Sequence, residues 1–345
     1  MKKQTRTLVV LAVLVVACLG GYFALKGWNQ AQEEAEHTYL AQITDVSHIT
    51  FDKDGLEMSF TYDGDAVWTY DGDETFPLDG ADLDAIAQLF ESLEAQKVIG
   101  EPEDLSSYGL DEPQRTVTAE GQPADGESAA SVTILLGDEV DGAYYAMLEG
   151  DEETVYTIPS DLFDKTDCTL LQLGQAEQLP SLKEENVEAV ELSQNGQTVS
   201  LTKTARTETF ETGENDEDGN PITEEITEYT WYLDGTELPQ DSQAVDDLLS
   251  ALAQVSFTEC LAYKSAQEEL DAMGLAGTDT LTLTVTYGDG QTLKLLCGSL
   301  TGEESDRVYA MQEGSDMVHA LSSSTADTLS GLLQADWTAV PDSEE

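Results

Sequence analysis

Asp104-Leu105-Ser106-Ser107-Tyr108-Gly109-Leu110-Asp111-Glu112-Pro113 separates a helix-like segment from a run of strand-like segments. A reduced copy recurs as Leu270-Asp271-Ala272-Met273-Gly274-Leu275. Leu105, Gly109 and Leu110 are kept at an offset of 165 as Leu270, Gly274 and Leu275, while Tyr108 gives way to Met273 and nothing matches Pro113. Retention of the glycine and leucines without the tyrosine points to architecture rather than to a site. The expectation is a crossover from helix to a second sheet. Leu105 and Leu110 are then buried, and Gly109 supplies a backbone angle that other residues avoid.

Other matches follow in the same order. Trp68-x-x-Asp71-Gly72 pairs with Trp231-x-x-Asp234-Gly235 at an offset of 163, and Tyr145-Ala146-Met147-x-Glu149-Gly150 with Tyr309-Ala310-Met311-x-Glu313-Gly314 at 164. Val46-x-x-Ile49-x-Phe51 with Gly55 pairs with Val187-x-x-Val190-x-Leu192 with Gly196, but at 141. A near-constant offset marks an internal duplication, and the smaller one places an insertion of about 22 residues in the second copy. The insertion, at about 204–229, alternates in two arms around Asn215–Pro221 and reads as a hairpin. Within it Glu214, Asp216, Asp218, Gly219 and Glu225 fall at positions 1, 3, 5, 6 and 12 of an EF-hand loop. Strand-like flanks and Pro221 favour the plain turn.

Inside one unit, Val46, Ile49 and Phe51, then Met58, Phe60 and Tyr62, then Val67–Tyr70 alternate as three strands. Leu83, Ile86, Ala87, Phe90 and Leu93 recur at helical spacing, with Asp79 or Asp82 as cap. Val245, Leu248, Leu249, Leu252 and Val255 repeat that stripe. After the Tyr-Gly-Leu block come strands at Arg115–Glu120, Val132–Leu136, Ala143–Leu148 and Thr154–Ile158, and a short helix at Ser160–Lys165 capped by Ser160. The second copy has Thr280–Tyr287, Thr292–Cys297, Val308–Gln312, Met317–Leu321 and a helix at Ser324–Leu333. The fold class is therefore α+β: two repeated units of mostly antiparallel sheet, each with one amphipathic helix and a short terminal helix.

The N-terminus adds a transmembrane helix to this class. Lys2, Lys3 and Arg6 precede Leu8–Leu25, 18 residues without a charge. At 1.5 Å per residue the run spans roughly 27 Å, enough for a bilayer core. Basic residues before it and Glu33, Glu34 and Glu36 after it place the N-terminus in the cytoplasm and the bulk outside. A cleaved signal and a lipoprotein with Cys18 as the lipidated residue are the alternatives. The chain then divides into a cytoplasmic tip and anchor (1–28), a polar stalk (29–40), the first repeat (41–175), the second repeat (180–337) and an acidic tail (338–345).

The 345 residues carry 14 Lys+Arg and 70 Asp+Glu, a formal charge of −56. Such a surface repels phosphate backbones, so nucleic acid is excluded as a partner class. No Gly-x-Ser-x-Gly, HExxH, phosphate-cradling loop or CxxC occurs. Of three histidines, His37 falls in the stalk, His48 near the first strand, and His319 where the first copy has Tyr156, a packing position. Cys168, Cys260 and Cys297 lie beyond the span; Cys260 and Cys297 are buried thiols or a disulfide. Asp63-Gly64-Asp65 and Asp71-Gly72-Asp73 read as solvated turns with a calcium site as alternative. Trp68, Tyr70, Trp231 and Tyr232 read as core and flank packing, with a glycan-stacking face as alternative. The sequence supplies no catalytic, cofactor-binding or metal residues, and the expectation is a protein that is not an enzyme and has no cofactor.

The Trp-x-x-Asp-Gly strand, the amphipathic helix, Leu105–Pro113, Leu136-Gly137, Tyr145–Met147 and Val155-Tyr156 together resemble the bacterial domain of unknown function 4340 family. The resemblance covers residues 40–173 well and 180–335 more loosely. It implies a membrane-anchored extracytoplasmic protein without assigned activity. Some relatives accompany gliding-type ABC transporter auxiliary proteins. The expected function is a non-catalytic binding or scaffolding module of the bacterial cell envelope. The alternatives are an accessory subunit of an ABC-type transport complex and an envelope glycan-binding protein or hydrolase. The expected partners are the membrane, through residues 8–25, and envelope or ABC-transporter proteins.

Overall fold

The computed structural model describes residues 38–53, 55–64, 67–123, 129–215 and 221–340, with backbone alone for 211–215 and 221–222. The predicted span and most of the stalk lie outside these residues. Among the described residues no helix is long and apolar enough to cross a membrane. The chain divides into two units, Met1–Leu173 and Gly174–Glu345.

In the first unit the elements are β1 (Tyr39–Ala41), β2 (Val46–Lys53), β3 (Leu56–Tyr62), β4 (Trp68–Tyr70), α1 (Ala81–Glu91), β5 (Leu93–Glu94) and β6 (Lys97–Gly100). A 3-10 turn (Leu105–Tyr108) leads to β7 (Arg115–Gly121), β8 (Ser131–Val140), β9 (Ala143–Leu148), β10 (Thr154–Pro159) and α2 (Asp161–Thr166). In the second unit they are β11 (Val187–Gln194), β12 (Gln197–Asn215), β13 (Pro221–Leu233), β14 (Thr236–Glu237), α3 (Gln243–Gln254), β15 (Cys260–Tyr263) and α4 (Gln267–Ala272). Then follow β16 (Leu281–Tyr287), β17 (Gln291–Leu300), β18 (Arg307–Gln312), β19 (Met317–Ser322) and α5 (Ser323–Gly331).

The sheet orders establish the duplication. The first unit runs β4-β3-β2-β7-β8-β9-β10-β6, and the second β14-β13-β12-β11-β16-β17-β18-β19-β15. Register agrees too. Ile49 opposes Phe60 and Ala119, as Val190 opposes Leu201 and Val285. Alternation turns these residues to one face, where α1 buries Leu83, Ile86 and Phe90 completely. Those three side chains contribute roughly 5–9 kcal/mol gross, an upper figure given a compact unfolded chain. In the second unit α3 buries Val245, Leu248 and Leu252 in the same way.

The strands after the block do not form the predicted second sheet; among the described residues the only other sheet of this unit is the two-stranded β1-β5 pair. β7 returns to the sheet of β2–β4, in its middle beside β2. The Tyr-Gly-Leu block instead straps the opposite face, where Leu110 is buried with Met147 and Val155. Leu105 is half-buried beside them rather than fully covered. Gly109 has φ +67° and Gly274 φ +73°, as the turn requires. Both straps lie on a glycine of the strand beneath. A Cβ on Gly137 would stand 2.1 Å from the Tyr108 carbonyl oxygen, and one on Gly298 2.1 Å from that of Met273. Leu270–Leu275 is thus the same device with a different side chain on top.

Three local readings change. Gly80 stands at the N-cap of α1, and Asp79 accepts from the Ala81 N–H at 3.1 Å. Ser160 occupies the α2 cap position, but its hydroxyl donates to the Asp164 carboxylate at 2.7 Å and leaves the backbone uncapped. β1 takes up Tyr39–Ala41 with Leu40 buried, so the fold begins within the segment read as stalk.

Candidate functional site

The chemistry-bearing side chains fall in separate clusters, each set by strand register. His48, Ser59 and Thr61 alternate with core residues Ile49, Met58 and Phe60, so they share the face away from α1. His48 Nε2 lies 2.9 Å from Ser59 Oγ and 3.2 Å from Asp71 Oδ2. Ser59 Oγ donates to that same oxygen at 2.5 Å, and Thr61 Oγ1 to Asp71 Oδ1 at 2.8 Å. A nucleophilic triad places the imidazole between serine and carboxylate, one nitrogen to each. Here one nitrogen faces both, and the serine proton goes directly to the carboxylate. His48 Nδ1 is buried without a partner. No base stands ready to take the serine proton, so the cluster ties β2, β3 and the end of β4 together. Partial burial pulls the Asp71 pKa upward, but the hydrogen bonds from Ser59, Thr61 and His48 overcome it and hold the carboxyl below its ordinary value.

That cluster removes Asp71 from the calcium alternative. Asp73 accepts from Thr75 and Asp63 from the Val67 N–H, while Asp65 lies outside the described residues. Among the described residues no group of three or more His, Cys, Asp or Glu is placed to hold a metal ion. The EF-hand register falls on a turn, 216–220, that also lies outside them.

His319 is fully buried on β19, opposite Cys260 of β15, and its ring stacks on Phe257 at 4.4 Å. Its Nε2 lies 3.4 Å from Glu177 Oε2, within ion-pair range but too far for a good hydrogen bond. Glu177 Oε1 accepts from Ser315 at 2.6 Å. Burial outweighs Glu177 and depresses the His319 pKa, favouring the neutral ring. This agrees with the packing role expected from Tyr156 in the first copy. Cys168, Cys260 and Cys297 are free thiols, so the alternative Cys260–Cys297 disulfide is not formed. Burial raises Cys260 to about 11 and Cys297 to about 12, so neither is an activated nucleophile.

Buried charge in the first unit is also structural. Arg115, 4% exposed, donates to the Asp52 carbonyl at 2.9 Å, pairs with Asp167 at 2.9 Å and lies over the Phe163 ring. The Lys53 hydrogen bond, aided by Arg115, holds Asp167 below the ordinary carboxylate range.

Each unit has a cleft where its Trp strand meets its helix, of ≈ 480 Å³ beside Trp68 and ≈ 470 Å³ beside Trp231. Both indoles are buried, which corrects the glycan-stacking alternative for these two residues. Trp68 Nε1 donates to Asp84 at 2.8 Å and Trp231 Nε1 to Glu184 at 3.1 Å. In the second unit Lys203 holds two residues of the cleft wall, its Nζ 4.1 Å from the Tyr229 ring centre and donating to the Glu184 carbonyl.

The insertion is the largest difference between the copies. β12 pairs with β11 only as far as Thr202, opposite Ala189. Beyond it β12 and β13 continue alone as a two-stranded arm, with Thr204 opposite Thr230 and Phe210 opposite Glu224. Phe210 is 48% and Ile226 49% exposed, and the register puts both on one face. Residues 204–210 are all exposed. The unequal offset between the copies marks this arm in the sequence, but its apolar pair shows only once the register is known.

A family model, Domain of unknown function (DUF4340), matches residues 68–230 and 231–338. Each match begins at a tryptophan of the repeat, Trp68 or Trp231, whereas each structural unit begins earlier, with the strands that precede it. No curated protein and no solved structure matches the chain.

Proposed function

We propose, from the premise that this chain belongs to the family Domain of unknown function (DUF4340), that it is a non-catalytic binding or scaffolding module of the bacterial cell envelope. Residues 8–25 anchor it in the membrane, and its two units stand outside. The charge pattern around that run supports this orientation. The neutral, buried states favoured for His319, Cys260 and Cys297 support a role without catalysis. One observation carries the binding role: the arm formed by β12 and β13, with Phe210 and Ile226 exposed together on one face. Two large apolar side chains on a free ribbon contribute nothing to the core. They are the kind of anchors that interfaces bury.

The test uses the full chain in its native membrane, with a photo-crosslinking amino acid at Phe210 and, as control, at the exposed Val98. Adducts from Phe210 that disappear when residues 205–229 are replaced by Asn-Gly are expected. Adducts from Val98 with none from Phe210 overturn the reading. Transporter subunits among the adducts would make the module an accessory of an ABC-type complex.

A further inference from the structure

Sheet edges are usually blunted by Lys, Pro, a bulge or a cover. Among the described residues the outer edge of β12 from Thr204 to Phe210 has no Lys, proline, bulge or cover. It contains no proline, and its one basic residue, Arg206, is paired with Glu208 on its own strand. Among the described residues no strand pairs with that edge beyond Thr202. The register then fixes what each face offers. Arg206, Glu208 and Phe210 oppose Glu228, Ile226 and Glu224 on one face. Ala205, Thr207 and Thr209 oppose Tyr229, Thr227 and Glu225 on the other, where the Thr207 and Thr227 hydroxyls are 2.9 Å apart. The first face is therefore an apolar pair framed by three carboxylates, with one guanidinium already engaged.

We infer that this edge accepts an extended segment of a partner protein as an added strand. The segment presents an apolar side chain to Phe210, with Ile226 one strand further in behind it, and is flanked two residues away by Lys or Arg facing Glu208 and the acidic surface around it. The inference rests on the docking reading above and names the partner's chemistry. Main-chain hydrogen bonds hold such a strand, and alternate side chains select it. Charge argues against the other occupants. Between Thr204 and Thr230 the sequence has nine acidic residues and one Arg. A second copy would bring like charges face to face, and an anionic lipid surface is repelled.

The experiment uses the full chain in non-ionic detergent and three seven-residue probes. They are Thr-Lys-Thr-Val-Thr-Lys-Thr, the same peptide with Glu for Lys, and the same with Gly for Val. Hydrogen exchange locates binding and fluorescence anisotropy measures it. The Lys-Val peptide is expected to slow exchange at 204–210 and to bind at least about tenfold more tightly than either control. Phe210→Ala with Ile226→Ala weakens it about tenfold, the 1.4 kcal/mol equivalent of losing the Phe210 contact and the side chain behind it. Protection spread over the acidic surface, unchanged affinity in the double variant, or arm-dependent self-association in sedimentation each overturns the inference. Failed peptides with persisting Phe210 adducts leave the docking arm standing and remove only the partner class. Loss of the adducts as well removes both.

Discussion

Gly137→Ala is the sharpest probe of how the repeat is assembled. The added Cβ would stand 2.1 Å from the Tyr108 carbonyl oxygen and 3.1 Å from Gly109 carbon. Gly137 does not have a positive φ, so the cost comes from contact and not from backbone preference. Two responses are open. The strap stays and strand and turn distort, as in an overpacked core, for about 1–3 kcal/mol. Or the strap lifts, exposing Leu110 and breaking the edge-on Tyr108–Tyr145 contact at 4.9 Å. Leucine burial at about 1.5–3 kcal/mol and an aromatic pair at about 1 make release cost roughly 2.5–4. The molecule takes the cheaper course, so the expected loss is about 1–3 kcal/mol. Because two units need not unfold as one, peptide-resolved hydrogen exchange in the full chain is the assay. Faster exchange belongs at 105–110 and 134–137, with 270–298 unchanged; Gly298→Ala gives the mirror pattern. A loss below about 0.5 kcal/mol, or one centred on α1, refutes the strap argument.

Three further outcomes follow from the buried groups. The folded-state pKa of His319 is depressed below the ordinary His value of about 6.5, so its contribution is intact above that pH and is lost as pH falls through it. His319→Tyr, copying Tyr156, should flatten the stability of the second unit between pH 7 and 5; an unchanged slope contradicts this. Cys297, raised to about 12, should resist iodoacetamide at pH 8 until urea unfolds the second unit, and rapid native labelling contradicts its placement. Trp68→Phe removes the indole donor to Asp84 and should cost on the order of 1–2 kcal/mol in the first unit, read by thermal unfolding.

Much of each unit was legible because burial on one face imposes a period of two. Arg115–Gly121 follows it strictly, buried at every odd position. The short strands β5, β6 and β15 were not legible, since two to four residues carry too little alternation to distinguish from loop. A single sheet could not be told from two, because alternation gives the face of a strand and not its neighbour. The Ser59–His48–Asp71 cluster escaped for the same reason: it joins three strands through a register that the sequence does not state. Leu136-Gly137 was visible as a motif, but its reason, a carbonyl lying across the glycine, required the strap in place.

The two copies kept their interiors and diverged at their edges. Ile49 and Val190, Phe60 and Leu201, Gly137 and Gly298 occupy equivalent places with equivalent roles. At one margin Val98, opposite Tyr156, is 52% exposed, whereas Cys260 is 7% exposed opposite His319, which Phe257 covers. At the other margin β4 ends after three residues, while β13 runs on into the arm. Folding alone does not require either difference, since the first unit closes its core without them. Divergence confined to the margins of a retained scaffold is what separate contact surfaces on a common frame produce. A chimera that moves residues 204–230 onto the β3–β4 turn therefore tests the arm apart from its frame. If the arm carries recognition, Phe210 adducts should follow it to the first unit; if they require β15 and its cover, the transplanted arm should give none.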